Sequence, residues 1–366
     1  MQPQAHYRCW VEVDLDALRQ NVAALRQRIG PRVKLMAVVK DNAYGHGLPQ
    51  VVHVLMQCGV DAFAVANLAE ALAIRQLGGT GWPILLFGSA LPFEHDMIVQ
   101  HNIIATISSW EEAERLNATA MAHHKVHPVH IEIDTGMGRV GVWHETAADT
   151  VAAIRALPHL RVEGIYTHFP SADENPDETR RELALFLRVA GDGLVRHAAN
   201  SAALLSLPET HLDMVRPGLA LYGIGEGLTP ILSFKARVAF VKDVGPGRTI
   251  SYGQTYVATR PMRIATVTVG YGDGYSRHLS NRAEVLVHGR RCAVVGRVTM
   301  DHVMVDVTGI PHVACGDEVV LIGQQGEDQI TTAEVARWAD TIPWEVLCGI
   351  NQTLRVPRVY RGLYAA

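Results

Sequence analysis

Combined, Lys and Arg number 33, yet only five are lysines: Lys34, Lys40, Lys125, Lys235 and Lys242. Lys40 ends the apolar run at 34–40 (KLMAVVK) and leads into Asp41-Asn42-Ala43-Tyr44-Gly45-His46-Gly47. An amine at the mouth of an apolar strand is partly desolvated, which favours its neutral form and suits it to Schiff-base chemistry. A lysine snorkelling at a rim has the same surroundings, so both readings stand. Arg216 ends the run at 212–216, and Gly218 and the glycines of Tyr222-Gly223-Ile224-Gly225-Glu226-Gly227 follow it. Bare amides after a strand suit a phosphate, with Ser201 adding a hydroxyl. A Gly-rich exit into a following domain fits equally well. Gly136-Met137-Gly138-Arg139-Val140-Gly141 matches G-x-G-x-x-G behind a strand, with Glu163 further on, which is the dinucleotide pattern. It follows the fifth strand, however, and carries Arg139 mid-loop. Tyr271 in VGYGDGY (269–275) and Met300-Asp301 in VGRVTMD (295–301) sit in Gly- and Asp-rich stretches. Hairpin turns use those residues too, and a phenol becomes an acid/base group only where a cation favours its anion. His123, His124, His127 and His130 lack ordered ligand spacing and read as a solvated loop entering a strand; no metal site is expected.

These residues need elements to hold them. Short apolar runs recur at 34–40, 61–66, 83–88, 103–108, 128–134, 161–168, 195–201 and 212–216. Most are continuous, as in strands buried on both faces. Helical stretches lie between them. One at 68–77 stops at Gly78-Gly79; one starting at Ser109 carries Glu111 and Glu112 in its first turn; others cover 146–157 and 178–189. Eight such units fit a (β/α)8 barrel, with an open doubly wound sheet as the competitor. A barrel gathers functional groups at the C-terminal ends of several strands. Here those ends carry Lys40, Asp134, His168, Asn200 with Ser201, and Arg216, which decides for the barrel.

After about residue 228 the texture changes to short strand-like runs at 233–244, 262–269, 283–287, 291–295, 303–307 and 318–322, with one helical segment at 332–339. The expected fold class is α/β: a (β/α)8 TIM-like barrel followed by a C-terminal mostly-β domain. Residues 1–11 are expected to form a strand joining the β domain, 12–228 the barrel, and 229–366 the β domain.

The remaining composition narrows the class. The chain has 366 residues, is 48% hydrophobic and 19% charged, and carries a net charge of -4. That is globular composition without the basic footprint of a nucleic-acid binder. No apolar run approaches the ~20 residues a membrane span needs, and no signal peptide is visible, so the expected location is cytoplasmic. Five cysteines without a Cys-x-x-Cys read as small buried apolar residues.

Together the motifs resemble the alanine racemase family of pyridoxal-phosphate enzymes. AVVKDNAYGHG at 37–47, DTGMGRVG at 134–141, GIYTHF at 164–169, ANSAA at 199–203 and MVRPGLALYG at 214–223 follow the family's order. So do SYG at 251–253, VGYGDGY at 269–275, VGRVTMD at 295–301 and RVPR at 355–358. The resemblance implies a pyridoxal-phosphate barrel plus a β domain, working as a head-to-tail homodimer. Lys40 would hold the cofactor covalently and serve as the base on one face of the substrate Cα. Tyr271, from the partner subunit, would be the base on the other face. Arg216 would bond the pyridine nitrogen and, staying protonated, keep that nitrogen unprotonated. His168 would lie between Arg216 and Tyr271. Tyr44, Asn200, Ser201 and the backbone at Gly218 and Leu219 would bind the cofactor, mostly at its phosphate. Arg139 and Met300 would meet the substrate carboxylate, with Glu132 and Asp301 in support.

Two departures accompany the resemblance. Many members carry a carbamylated lysine where this chain has Glu132. A glutamate supplies an anion directly, so a Glu132–Arg139 pair is expected without modification. Many members also have a tyrosine immediately before Arg-Val-Pro-Arg, where this chain has Leu354. The implied activity is interconversion of L- and D-alanine, supplying D-alanine for peptidoglycan. A serine or broader amino-acid racemase is the alternative within the fold. A non-catalytic pyridoxal-phosphate barrel would lack the β domain with Tyr271. A barrel decarboxylase is expected to face the pyridine nitrogen with an acid, where this chain has Arg216.

Overall fold

The computed structural model describes residues 6–363. The first five residues of the expected N-terminal strand segment and 364–366 of the expected β domain lie outside the described residues. The chain divides into two compact units: one comprises the chain up to Asp16, Tyr44–Gly47 and everything from Pro230 on, and the other comprises Ala17–Ala43 and Leu48–Thr229. The first division therefore falls at Asp16 rather than at residue 11, because strand β1 (Cys9–Asp14) pairs within the β unit.

The second unit is a closed parallel barrel. Its strands are β2 (Lys34–Val38), β3 (Ala62–Val65), β4 (Ile84–Ser89), β5 (Ile104–Ile107), β6 (His127–Asp134), a two-residue β7 (Val142–Trp143), β8 (Leu160–Tyr166), β9 (Val195–His197) and β10 (Met214–Val215). Pairing runs β2-β3-β4-β5-β6-β8-β9-β10, and β10 closes on β2 through Met214↔Lys34 and Val215↔Leu35. β7 is an extra strand on β6. Val, Ile, Leu, Ala and Phe fill these strands, and residues 35–39, 62–65, 84–86 and 104–107 are all buried, as a sheet covered on both faces requires. The outer helices start on side-chain caps: Asn67 accepts from the Glu70 amide, Ser109 from Glu112, Asn175 from Glu178 and Asn200 from Ala203. Each cap satisfies an amide the first helical turn leaves open, worth about 1 kcal/mol.

The β unit is built on strands β11 (Leu232–Val244), β12 (Thr249–Ile250), β13 (Tyr256–Val257), β14 (Met262–Val267), β15 (Glu284–Val287), β16 (Arg290–Ala293), β17 (Val303–Asp306), β18 (Glu318–Gln325), β19 (Asp328–Ile330) and β20 (Arg358–Arg361). The main order is β16-β15-β18-β11-β1-β20, with β14 and then β17 continuing from β11. The first strand thus lies between β11 and the last strand, antiparallel to one and parallel to the other. The helix Thr332–Ala339 opens with a Thr331/Glu334 capping box. A second helix, Pro343–Gly349, was not legible in the sequence; its signal is Pro343 in the first turn, where a missing amide costs nothing.

Candidate active site

Lys40 lies one residue past Val39, beyond the end of β2, and is half-buried. The chain then enters a left-handed turn: Asp41, Asn42, Ala43 and Tyr44 all have φ between 52 and 55°. For L-residues this costs about 1–2 kcal/mol each, so the turn must be held by its surroundings. It is. The Ala43 amide donates to Val39 O at 2.9 Å, and the Asn42 side chain accepts from the Leu48 amide at 2.7 Å. The Glu70 carboxylate accepts from the amides of Asn42 (3.1 Å) and Ala66 (3.2 Å), bridging two strand-end loops. Tyr44 is buried and opens the segment that belongs to the β unit. There Gly45 passes so close to Leu347 O that a Cβ would sit 2.7 Å from it, and Arg358 Nε donates to Gly45 O.

At the far side of the barrel closure, Arg216 follows β10 and is 3% exposed. Its guanidinium donates to Thr167 O (2.8 Å), Ala198 O (3.1 Å) and His197 Nδ1 (3.0 Å). It also lies 5.1 Å from the centre of the Tyr166 ring. The bond to Nδ1 makes that nitrogen the acceptor, so His197 carries its hydrogen on Nε2 and donates to His130 Nδ1 at 2.9 Å. Burial, Arg216 and His130 together push His197 well below the usual histidine range. Burial and Arg216 bring His130 down to about 3. Neutral imidazoles beside a buried arginine avoid a second cation. Burial pushes Arg216 itself down to about 10, with Tyr166 and Glu132 opposing the shift, so it stays charged at neutral pH.

Tyr166 stacks on His197 (4.8 Å, 16°) and donates to Glu132 Oε2 at 2.7 Å, with Thr106 Oγ1 3.0 Å from the same phenol oxygen. Here the structure corrects an expectation. Glu132 is buried and takes its hydrogen bond from Tyr166, whereas Arg139 is exposed and makes no ion pair among the described residues. The Glu132–Arg139 pair is therefore not formed within the chain. Burial raises the Glu132 carboxyl, opposed by the Tyr166 bond and by Arg216 and Arg139. His168 lies just past β8; burial first, then Arg216, Arg139 and Lys40, push it down to about 3. Lys40, Arg139, His168 and Arg216 thus converge on one end of the barrel.

Asn200 caps the helix Ser201–Ser206, and Ser201 Oγ accepts from the amides of Gly218 (2.9 Å) and Ala220 (3.1 Å). The Gly218 amide, expected to face a phosphate, is therefore taken by Ser201. The Leu219 amide donates to nothing among the described residues, and the Ser201 hydroxyl keeps its own hydrogen to give. Tyr222 Oη donates to Val38 O and the Val38 amide to Pro217 O, so this loop is laced to the strand that precedes Lys40. The leftover donors are Arg216 Nε–H, Ser201 Oγ–H and Leu219 N–H. They fit a group with an aromatic nitrogen at one end and a phosphate at the other.

The run 136–141 opens no helix; it returns directly to β7, with Asp134 Oδ1 taking the amides of Gly136 (3.0 Å) and Gly138 (3.1 Å). This is a tight turn displaying Arg139, not a dinucleotide cradle. The four histidines at 123–130 also separate. His123 meets Asp96, His127 bonds Ile103 O, and His130 joins His197.

The β unit carries Tyr271, Met300 and Asp301. The Tyr271 amide donates to Thr299 O and the Gly272 amide to Met300 O, both at 3.0 Å. A Cβ on Gly270 would lie 2.2 Å from Thr299 O, so the two loops meet backbone to backbone only because that residue is glycine. Arg355 pairs with Asp273 (2.6 Å) and with Asp301, fastening the loops together. Tyr271 and Met300 stand 44% and 54% exposed. His197, Tyr166, Arg355 and Arg358 escaped the sequence reading. The one available signal was His197, a lone imidazole closing a short strand-like run.

Residues 13–226 match the family model "Alanine racemase, N-terminal domain" and 231–360 match "Alanine racemase, C-terminal domain". An alanine racemase of Halothermothrix orenii is 42% identical, covering 96% of this chain and 97% of its own. Among solved structures, an alanine racemase of Clostridium difficile 630 superposes with a TM-score of 0.89 at 34% identity, covering 97% of this chain and 96% of that one. The alanine racemase of Bartonella henselae with covalently bound pyridoxal phosphate gives 0.90 at 28% identity, covering 97% and 99%.

Proposed function

The chain belongs to the alanine racemase family, and from that premise we propose how its own residues perform the family's reaction. It interconverts L- and D-alanine with pyridoxal phosphate as cofactor, supplying D-alanine for peptidoglycan. Pyridoxal phosphate, when bound, supplies the electron withdrawal that makes the substrate Cα proton removable. Lys40 Nζ anchors the cofactor and carries the proton on one face of Cα. Tyr271 Oη carries it on the other face, one group removing the proton while the other returns it. Arg216 Nε–H would face the ring nitrogen of bound cofactor, and as a permanent donor it would leave that nitrogen unprotonated. Ser201 Oγ–H and Leu219 N–H take the phosphate end, with Asn200 just before Ser201 and Tyr44 just after Lys40 as the further cofactor-binding residues. Arg139 and Met300 receive the substrate carboxylate. His168, neutral, avoids adding positive charge beside Arg216.

The observation that carries this reading is Arg216: a buried cation locked by three acceptors yet with Nε–H unspent. Tyr271 and Met300 are exposed on a fastened pair of loops, and this supports a homodimer in which one protomer's Tyr271 serves its partner's barrel. The expected location is the cytoplasm; no helix among the described residues is long and apolar enough to cross a membrane. Leu354 is 99% exposed, and this keeps a broader racemase, one accepting serine, as the second reading. The test is borohydride reduction of the purified protein, followed by peptide mapping and a racemisation assay on L-alanine, L-serine and L-lysine. The expected result is label on Lys40 and alanine as the best substrate. Label elsewhere overturns the site, and alanine as the poorest of the three overturns the substrate.

A further inference from the structure

Glu182 is a buried carboxyl that none of the chemistry above uses. It projects from the helix Pro176–Val189 and is 1% exposed. Its Oε2 has no hydrogen-bond partner. The carboxyl occupies the space a side chain at 136 would need: a Cβ on Gly136 would lie 2.4 Å from Oε1. Gly136 begins the turn that displays Arg139 three residues later, and Asp134 sets that turn by taking the amides of Gly136 and Gly138. The Gly136 amide is therefore already spent on Asp134.

We propose that Glu182 is a positioning residue for Arg139: as a neutral acid it packs under Gly136 and holds the turn, and on ionising it lets the turn shift and weakens substrate binding. The inference rests on the reading of Arg139 as the group that meets the substrate carboxylate. The physical reason is an imbalance of donors. A neutral acid in that space needs little. A carboxylate needs hydrogen-bond donors, and Glu182 Oε2 meets none where it is buried. The charged groups facing Glu182 are Glu178 and Arg181 from its own helix and Asp134 from β6. Arg181 forms its ion pair with Glu178, so its attraction for Glu182 only partly offsets the burial. Burial first, then Glu178 and Asp134, raise the Glu182 carboxyl to about 7 against the opposing Arg181. The titration therefore falls near neutrality.

The test compares wild type with Glu182→Gln, which keeps the shape of the neutral acid, and with Glu182→Leu as a second uncharged variant. KM and kcat for L-alanine are measured from about pH 6 to about pH 8.5, straddling the expected midpoint. Wild-type KM is expected to rise several-fold relative to Glu182→Gln as pH increases, while the kcat profiles overlay. In parallel, infrared difference spectra of the same proteins report the carbonyl stretch of a neutral carboxylic acid. Wild type is expected to lose such a band across neutrality, and both variants are expected to lack it. Superimposable KM profiles, or no band titrating near neutrality in wild type, overturns the proposal. Arg139→Gln separates the two levels. If that variant leaves KM unchanged while the titrating band persists, the carboxylate role of Arg139 has failed and the inference falls with it.

Discussion

At the strand ends of the barrel, polar side chains are held from several directions at once. Arg216 has three acceptors and an aromatic face, Tyr166 has Glu132, Thr106 and a stacked imidazole, and His197 is bonded through both ring nitrogens. In the β unit the fastening is entirely behind the functional side chains. Tyr271 and Met300 are fixed through their main chains and through Arg355, and their side chains project outward. The first arrangement is finished within one chain. On the reading proposed above, the second is a mount whose exposed side chains would meet their targets in another protomer. On that reading, cofactor binding and half of the acid/base chemistry are separable by mutation.

The sharpest way to break this comparison is Tyr271→Phe. Losing one positioned acid/base group should lower racemisation by ~10²–10⁴-fold while the visible spectrum of the bound cofactor stays unchanged. A changed spectrum would mean that the β-unit residue also organises the cofactor end. A smaller effect is expected from Arg355→Ala, which unfastens Asp273 from Asp301. With the loops loosened, kcat/KM should fall about tenfold, or ~1.4 kcal/mol in the transition state, without altering cofactor content by absorbance.

Acid should distinguish the regions thermodynamically. His127 and His130 are buried in the barrel unit and depressed to about 4 and about 3. A histidine with a lowered folded-state pKa contributes stability that is fully present above ~6.5 and is lost as pH falls toward the folded value. At about pH 5 that loss approaches ~2 kcal/mol per histidine, so urea titrations should show the barrel unit weakening from pH 7 downward. His130→Asn should flatten part of that slope. The smallest expected effect is none at all: added bicarbonate should leave activity unchanged. Glu132 is already an acid bonded to Tyr166 and needs no carbamate, and a clear gain in a steady-state assay would contradict that.

The order of βα units, the helix start at Ser109 and the onset of the β unit were legible because each depends on local pattern. Strand ends were less so, for a reason shared by the functional residues. The run at 195–201 stops pairing at His197, because Asn200 turns to cap the next helix. The run at 34–40 stops at Val38, because the chain turns left-handed just after Lys40. Chemistry sits where pairing has just ended, and apolar composition does not mark that point. The bonding partners were illegible for a different reason. Arg216–His197, Tyr166–Glu132 and Glu182–Gly136 are brought together by barrel closure and helix packing across many residues of sequence. No local spacing in the chain announces that Glu132 would choose a phenol over an arginine.

Strand β1 is made first, yet its neighbours are β11 and β20. On the ribosome it must wait some ~200 residues for its first partner, tens of seconds at ~5–20 residues per second, while the barrel sequence emerges between them. Its second partner emerges later still, after β11. Vectorial synthesis therefore allows the barrel to close before the β unit has a complete sheet. In the interval β1 is an open, apolar strand edge in search of a mate, and a nascent neighbour on the same message offers one.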